Sequence, residues 1–166
     1  FQATLTHILP HFDERMLWMH PPPAMLGWAP FSAIPYTPAY LLWFALSTGL
    51  YAWMGLKITG SRWALLAAPF FAGFTMDFVY AQNGAVLAAL LAGGLLLRKD
   101  YPLLAALPLG YLTVKPHWAP VVFLALLAGR HWKTLGAALA TAIALYLLSV
   151  LAFGVETWSA FLAQLD

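Results

Sequence analysis

The chain has 166 residues, of which 63% are apolar and only 8% are charged, whereas soluble domains carry about 25% charged residues. This composition excludes an ordinary soluble domain and indicates an integral membrane protein that contacts membrane lipids. The net charge of +2 comes from basic residues scattered between apolar runs, so a nucleic-acid partner is excluded as well. Because the sequence contains no cysteine, disulfides, thiolate nucleophiles and cysteine metal sites are also excluded.

The first 38 residues differ from the rest of the chain. Residues 1–20 are the most polar part, and their apolar residues recur at helical spacing, which predicts an amphipathic helix on the outer membrane surface. The next stretch, "HPPPAMLGWAPFSAIPYTP", is apolar but rich in proline. Proline removes a backbone donor and interrupts helices, so we expect a broken or re-entrant segment here.

Long apolar runs without alternation follow, and they predict helices rather than a membrane barrel. Residues 21–166 should therefore form an all-α, multi-pass helical bundle of about six or seven membrane segments, as part of one larger domain. The clearest helices are predicted at residues 39–56, 63–79, 82–97, 102–114, 116–129 and 134–154. In the last of these, Gly136, Ala140 and Ala144 share one stripe, which predicts close helix packing.

The basic residues predict the orientation of the bundle. Six of the eight lysines and arginines lie in three short connections: Lys57 with Arg62, Arg98 with Lys99, and Arg130 with Lys133. The positive-inside rule makes these connections cytoplasmic. The hairpin tips between them, at residues 76–84 and 113–117, should then face the non-cytoplasmic side.

Lys115 is the basic residue on that non-cytoplasmic side. Half of its hairpin, at residues 102–129, is only about 21 Å long at about 1.5 Å per residue, short of the hydrocarbon core of about 30 Å. Its tip should therefore lie below the membrane surface, in a recess open to the outer face. Pro116 disfavours helix at Lys115, so an ammonium group and the His117 imidazole can point into that recess and bind an anion.

Three residues of the other outer tip, Asp77, Gln82 and Asn83, are candidates to share this recess. Structural alternatives stay open for each of them. Gln82 and Asn83 can cap the next helix, and Asp77 can pair with Lys115, which can itself be a snorkelling anchor for lipid phosphates. The histidines lack metal-ligand spacing, so His20 and His131 are interpreted as surface or interface residues, and neither a metal nor a cofactor is expected.

Three stretches of the sequence resemble glycosyltransferase family 87. They are the proline-rich "HPPPAMLGWAPFSAIPYTPAYLLWFAL", the Gln-Asn helix start in "AQNGAVLAALLAGGLLLRK", and the Lys-Pro segment in "LGYLTVKPHWAPVVFLALLAGRHWKTL". The resemblance runs from about residue 16 to residue 163. The chain departs from the family at Ala81, where glycine is usual, and at His20, where an aromatic residue is common.

The resemblance implies a bacterial inner-membrane enzyme of the GT-C class, active on the non-cytoplasmic face. Such an enzyme transfers a hexose, here mannose, with inversion from a polyprenyl-phosphate donor to a cell-envelope glycolipid or polysaccharide. Lys115 would then bind the leaving phosphate, supported by His117, while Gln82 and Asn83 would bind sugar or phosphate. The family's acidic general base would lie upstream of Phe1, so the catalytic residues are unknown and this fragment alone is expected to be inactive.

Two other classes of protein remain alternatives from the residues themselves. Proline-broken segments around a recessed polar site also occur in secondary transporters. A purely structural membrane protein would not be expected to cluster polar residues on one side.

Overall fold

The computed structural model describes residues 20–67, 70, 72–80 and 82–163, and this part of the chain is helical, without a β-strand. The predicted all-α class is therefore confirmed for these residues. The helices, in chain order, are α1 Pro23–Trp28, α2 Tyr36–Thr59, α3 Trp63–Ala67, α4 Ala72–Tyr80, α5 Gly84–Leu97, α6 Pro102–Tyr111, α7 Ala119–Ala128 and α8 Trp132–Leu162. The predicted amphipathic helix at residues 1–20 lies outside the described residues, apart from His20.

The predicted broken segment forms a short helix followed by a tighter turn. Proline stands in the first turn of α1, where no backbone donor is lost, and a 3-10 helix follows at Ala29–Ala33. Ile34 is extended (φ −111°, ψ 142°), as expected before Pro35. The three prolines before α1 and at its start, residues 21–23, are buried, so this segment packs into the bundle.

One predicted helix is interrupted, and helix resumes beyond the predicted end of another. The described residues of the range 63–79 form two helices, α3 and α4, and Phe70 between them is not α-helical. The last predicted helix, at residues 134–154, ends where α8 is broken, at Gly154, and helix then resumes up to Leu162. Gly154 has φ 78° and ψ 166°, a backbone conformation that is essentially restricted to glycine.

The core surrounds α6, which packs mainly against α8 and α5. The buried apolar residues that form it are Ala24, Leu87, Ala106, Leu109, Leu112, Val114, Val122, Leu126 and Ala138. Glycine permits the closest helix contact. A Cβ on Gly110 of α6 would lie 2.6 Å from the Ala138 carbonyl oxygen and 2.6 Å from Thr141 Cβ, both on α8.

The stripe of small residues predicted to pack closely is therefore in the wrong place. Gly136, Ala140 and Ala144 are all exposed, and no described atom lies within 4 Å of a Cβ built on Gly136. The packing face of α8 is instead the one that carries Ala138 and Ala142, which are buried.

Two helices, α2 and α8, are long and apolar enough to span a membrane, while α5, α7 and α6 with its following turn are shorter. Many large apolar side chains on these helices are exposed, including Leu46, Leu103 and Leu151, as expected for surfaces that contact lipid.

Polar groups gather at both ends of the bundle. At one end, Arg98 Nε donates a hydrogen bond to His131 Nε2 at 3.3 Å, which joins two of the basic connections. At the other end, the Tyr40 hydroxyl donates to the Phe78 carbonyl and ties α4 to the start of α2. The 14-residue helix α5, about 21 Å long, separates the two ends.

Candidate functional site

A tight turn after α6 presents Lys115. The chain leaves α6 through a 3-10 helix, Leu112–Val114, and Lys115 is then extended (φ −116°, ψ 96°), as Pro116 requires. The Lys115 N–H donates to the Leu112 carbonyl at 3.1 Å, and the Lys115 carbonyl accepts from the Trp118 N–H at 2.9 Å. Backbone hydrogen bonds therefore fix the turn, with the Lys115 side chain half-buried and His117 exposed.

Asp77 on α4 caps the start of α5. Its Oδ1 accepts from the Gly84 N–H at 3.1 Å and its Oδ2 accepts from the Ala85 N–H at 2.5 Å. These are two of the first-turn amides that a helix cannot satisfy itself, and the carboxylate also complements the positive helix end. A Cβ on Gly84 would lie 2.8 Å from Asp77 Oδ1, so glycine makes this approach possible.

Asn83 occupies the N-cap position of α5, but its side chain makes no capping hydrogen bond. The alternative that the Asn83 side chain caps α5 is therefore wrong, because Asp77 of the preceding helix caps it instead. The Asn83 side chain is buried, with 3% of its surface exposed. Gln82 is exposed, and its backbone N–H donates to the Asp77 carbonyl at 3.1 Å.

Asp77 and Lys115 lie close enough for their charges to interact. Burial lowers the pKa of the Lys115 ammonium from its usual value, and the negative charge of Asp77 partly opposes this shift. Removal from water disfavours the charged form of a lysine. A bound anion would restore that stabilisation, so the turn is suited to an anionic ligand.

His20 joins the same cluster, which the sequence interpretation missed. Burial lowers the pKa of its imidazole most, followed by the positive charge of Lys115, while Asn83 raises it and His117 lowers it slightly. The His20 ring also packs edge-on against Trp28, with ring centroids 5.4 Å apart. The sequence signal that could have located His20 was its position directly before three prolines, because proline restricts the backbone and fixes the direction of the chain.

The side-chain amide of Asn83 can still accept a hydrogen bond from a ligand. It lies close enough to His20 to raise the pKa of that imidazole, yet its buried Oδ1 does not reach hydrogen-bond geometry with any described group. A buried acceptor without a hydrogen bond is costly, and a sugar hydroxyl could donate to it.

An open apolar groove of about 550 Å³ runs beside this turn, between α7 and α8. It is lined by Thr113, Pro116, Ala119, Pro120, Phe123, Ala142, Ile143, Tyr146 and Leu147. One of these lining residues, Pro116, directly follows Lys115 in the chain. Within the described part of the chain, no group of three or more His, Asp or Glu side chains is arranged to hold a metal.

These residues can bind a ligand that carries an anionic group, hydroxyl groups and an apolar tail. No curated protein and no solved structure matches the chain. The model of glycosyltransferase family 87 matches residues 18–166, which include every residue of this site and cover most of the sequence. By this match, and in agreement with the resemblance of its three motifs, the chain belongs to glycosyltransferase family 87.

Proposed function

We propose that the protein is a membrane hexosyltransferase that takes mannose from a polyprenyl-phosphate donor. The acceptor is a glycolipid or polysaccharide of the cell envelope, and transfer occurs on the outer face of a bacterial inner membrane. Family membership supports the general activity, a sugar transfer from a donor to an acceptor. The observation that carries the choice of donor is the apolar groove lined by Pro116, the residue that directly follows Lys115 in the chain.

A polyprenyl-phosphate sugar has a charged head and a long apolar chain. The half-buried ammonium of Lys115 suits the phosphate, and the groove beginning at Pro116 offers apolar surface to the chain. A nucleotide sugar would instead need polar partners for its base and its diphosphate. The apolar lining of this groove therefore favours a lipid-linked donor.

The proposed reaction is a single displacement with inversion. The acceptor hydroxyl oxygen attacks the anomeric carbon, and the bond from that carbon to the phosphate oxygen breaks. The bonding electrons go to the phosphate oxygen, where Lys115 stabilises the developing charge; one such donor is typically worth about 3 to 4 kcal/mol. The acceptor proton passes to an acidic general base.

Asp77 is not assigned the role of general base. Both of its carboxylate oxygens accept hydrogen bonds from backbone amides of α5, and its charge faces Lys115. Neither carboxylate oxygen is therefore left free to take a proton from an acceptor hydroxyl without losing a hydrogen bond to the start of α5. Asp77 is better suited to hold the two outer tips together.

The full-length protein in liposomes is expected to transfer labelled mannose from polyprenyl-phosphate mannose and not from nucleotide-linked mannose. A water-soluble mannosyl phosphate without the isoprenoid chain provides the matched control, because it keeps the phosphate and leaves the groove empty. It should be used much less efficiently, mainly through a higher KM. Transfer from the nucleotide sugar, or equal use of the chain-free donor, would contradict the proposed donor class.

The orientation can be tested by single-cysteine labelling, since the chain has no cysteine of its own. Gln82→Cys is expected to react with a membrane-impermeant maleimide in intact cells, because Gln82 is exposed at the proposed outer end. Lys99→Cys, which is also exposed, should react only after permeabilisation. The reverse pattern would place the site on the cytoplasmic face.

A further inference from the structure

The turn that presents Lys115 is attached to α8 through one of its carbonyl groups. Within the turn, the Thr113 hydroxyl donates to the Gly110 carbonyl at 2.8 Å, and the Leu112 carbonyl accepts from the Lys115 N–H. The Thr113 carbonyl accepts instead from the Tyr146 hydroxyl, at 3.3 Å. Tyr146 lies 33 residues further along the chain, so this bond connects the turn to a separate helix.

Tyr146 is itself held by a second layer of contacts. Its ring packs against the Trp158 ring, with centroids 5.2 Å apart. The Trp158 indole N–H donates to Ser149 Oγ at 3.1 Å, and the fully buried Ser149 hydroxyl donates to the Tyr146 carbonyl at 2.7 Å. Tyr146 therefore has its ring, backbone and hydroxyl all engaged.

The break at Gly154 makes this second layer possible. In a continuous helix, residues 149 and 158 would be separated by about 13.5 Å along the axis, too far for their side chains to bond. The glycine-specific conformation of Gly154 turns the chain back so that Trp158 reaches Ser149 and Tyr146. The end of α8 thus folds over the residue that supports the turn.

We propose that Tyr146 is a positioning residue that holds Lys115 against the leaving phosphate by fixing the Thr113 carbonyl. This inference rests on the proposed function. The Tyr146 hydroxyl holds the turn in this conformation. The Lys115 ammonium is therefore already in position when negative charge develops on the phosphate. Because Lys115 acts on the transition state, the effect falls on kcat more than on the KM for the donor.

The test is Tyr146→Phe, which removes the hydroxyl and keeps the ring that lines the groove and contacts Trp158. We expect kcat to fall about fivefold, the rate equivalent of one neutral hydrogen bond, with little change in KM. The alkaline limb of the pH-rate profile should move to higher pH, because a looser turn exposes Lys115 to water and raises its pKa. Tyr101→Phe, at the exposed residue before α6, is the matched control and should change none of these quantities.

Amide hydrogen exchange separates failure of this inference from failure of the proposed function. In Tyr146→Phe, peptides covering residues 112–118 should exchange faster, while peptides from α5 should not. Unchanged exchange in the turn would overturn the positioning role whatever the transfer assay shows. Faster exchange with unchanged kcat would also overturn it. If the wild-type protein does not use polyprenyl-phosphate mannose, faster exchange in Tyr146→Phe would still support the contact between Tyr146 and the turn, and only the proposed donor would be rejected.

Discussion

Replacing Lys115 with alanine in the full-length protein is expected to lower the transfer rate per inserted molecule by about 100- to 1,000-fold. This is the usual effect of removing a donor aimed at a developing oxyanion, and a cation in a water-poor recess belongs to the same class. Folding should be little affected, because the Lys115 backbone, not its side chain, makes the hydrogen bonds of the turn. The measurement is mannose transfer under saturating donor, normalised to correctly inserted protein.

Lys115→Arg should recover only part of this activity, because a planar guanidinium differs in reach and donor geometry from a compact ammonium. The two cations should also differ in their response to pH. Burial lowers the pKa of Lys115 below its ordinary value of 10.5. The wild-type transfer rate should therefore decline at a lower pH than it would if the lysine were exposed and had its ordinary pKa. Arginine stays protonated throughout this range, so the alkaline fall should be absent in the variant.

Lys99→Ala is the matched control for the loss of one ammonium, since Lys99 is exposed at the opposite end of the bundle. It should retain normal turnover. If Lys115 only anchors the chain to lipid phosphates, Arg would replace it fully and Ala would reduce insertion rather than turnover. Near-normal turnover of inserted Lys115→Ala protein would therefore remove Lys115 from the reaction.

Gly110→Leu is expected to prevent folding of the bundle. A Cβ at this position would lie 2.6 Å from a backbone oxygen of α8, at Ala138, so the helices would have to separate along the most extensive contact of the fold. Gly110→Ala should have a milder effect, in which overpacking lowers the free energy of unfolding by about 1 to 3 kcal/mol. The apparent melting temperature in detergent and the yield of monodisperse protein would measure both effects.

Gly136 provides the matched control on the partner helix, because a Cβ there meets no described atom within 4 Å. Gly136→Ala and Gly136→Leu should not lower the melting temperature, because both residues favour helix over glycine and meet no clash here. A comparable loss of stability at both glycines would mean that the contact between α6 and α8 is not the cause. It would also contradict the close approach at Gly110.

Much of the helical pattern could be predicted from local sequence. Apolar runs bounded by basic pairs located α2 and α5 to α8, and the position of Pro116 predicted the extended backbone at Lys115, which the structure confirms. These features depend on steric and solvation rules that act within a few residues. The predicted end of the last helix at residue 154 coincides with the break at Gly154, but the return of the chain into a further helical segment up to Leu162 was not predicted.

The surroundings of the candidate site were harder to predict, because they depend on contacts between distant segments. Nothing in the local sequence indicates that Asp77, rather than Asn83, satisfies the amides of α5. The approach of His20 to Lys115 and the bond from Tyr146 to Thr113 join residues far apart along the chain. Such contacts follow from packing, and the hydrophobic pattern of a single helix does not specify them.

The shortness of α6 and α7 has a further consequence for the surrounding lipid. Each of these helices has 10 residues and is about 15 Å long, roughly half the thickness of a typical hydrocarbon core. Acyl chains beside this pair would face a hydrophobic mismatch, which a bilayer relieves by thinning locally. Such thinning would bring the headgroup region of the nearer leaflet towards Lys115, so a lipid-anchored phosphate could reach the ammonium without leaving its normal depth in the membrane.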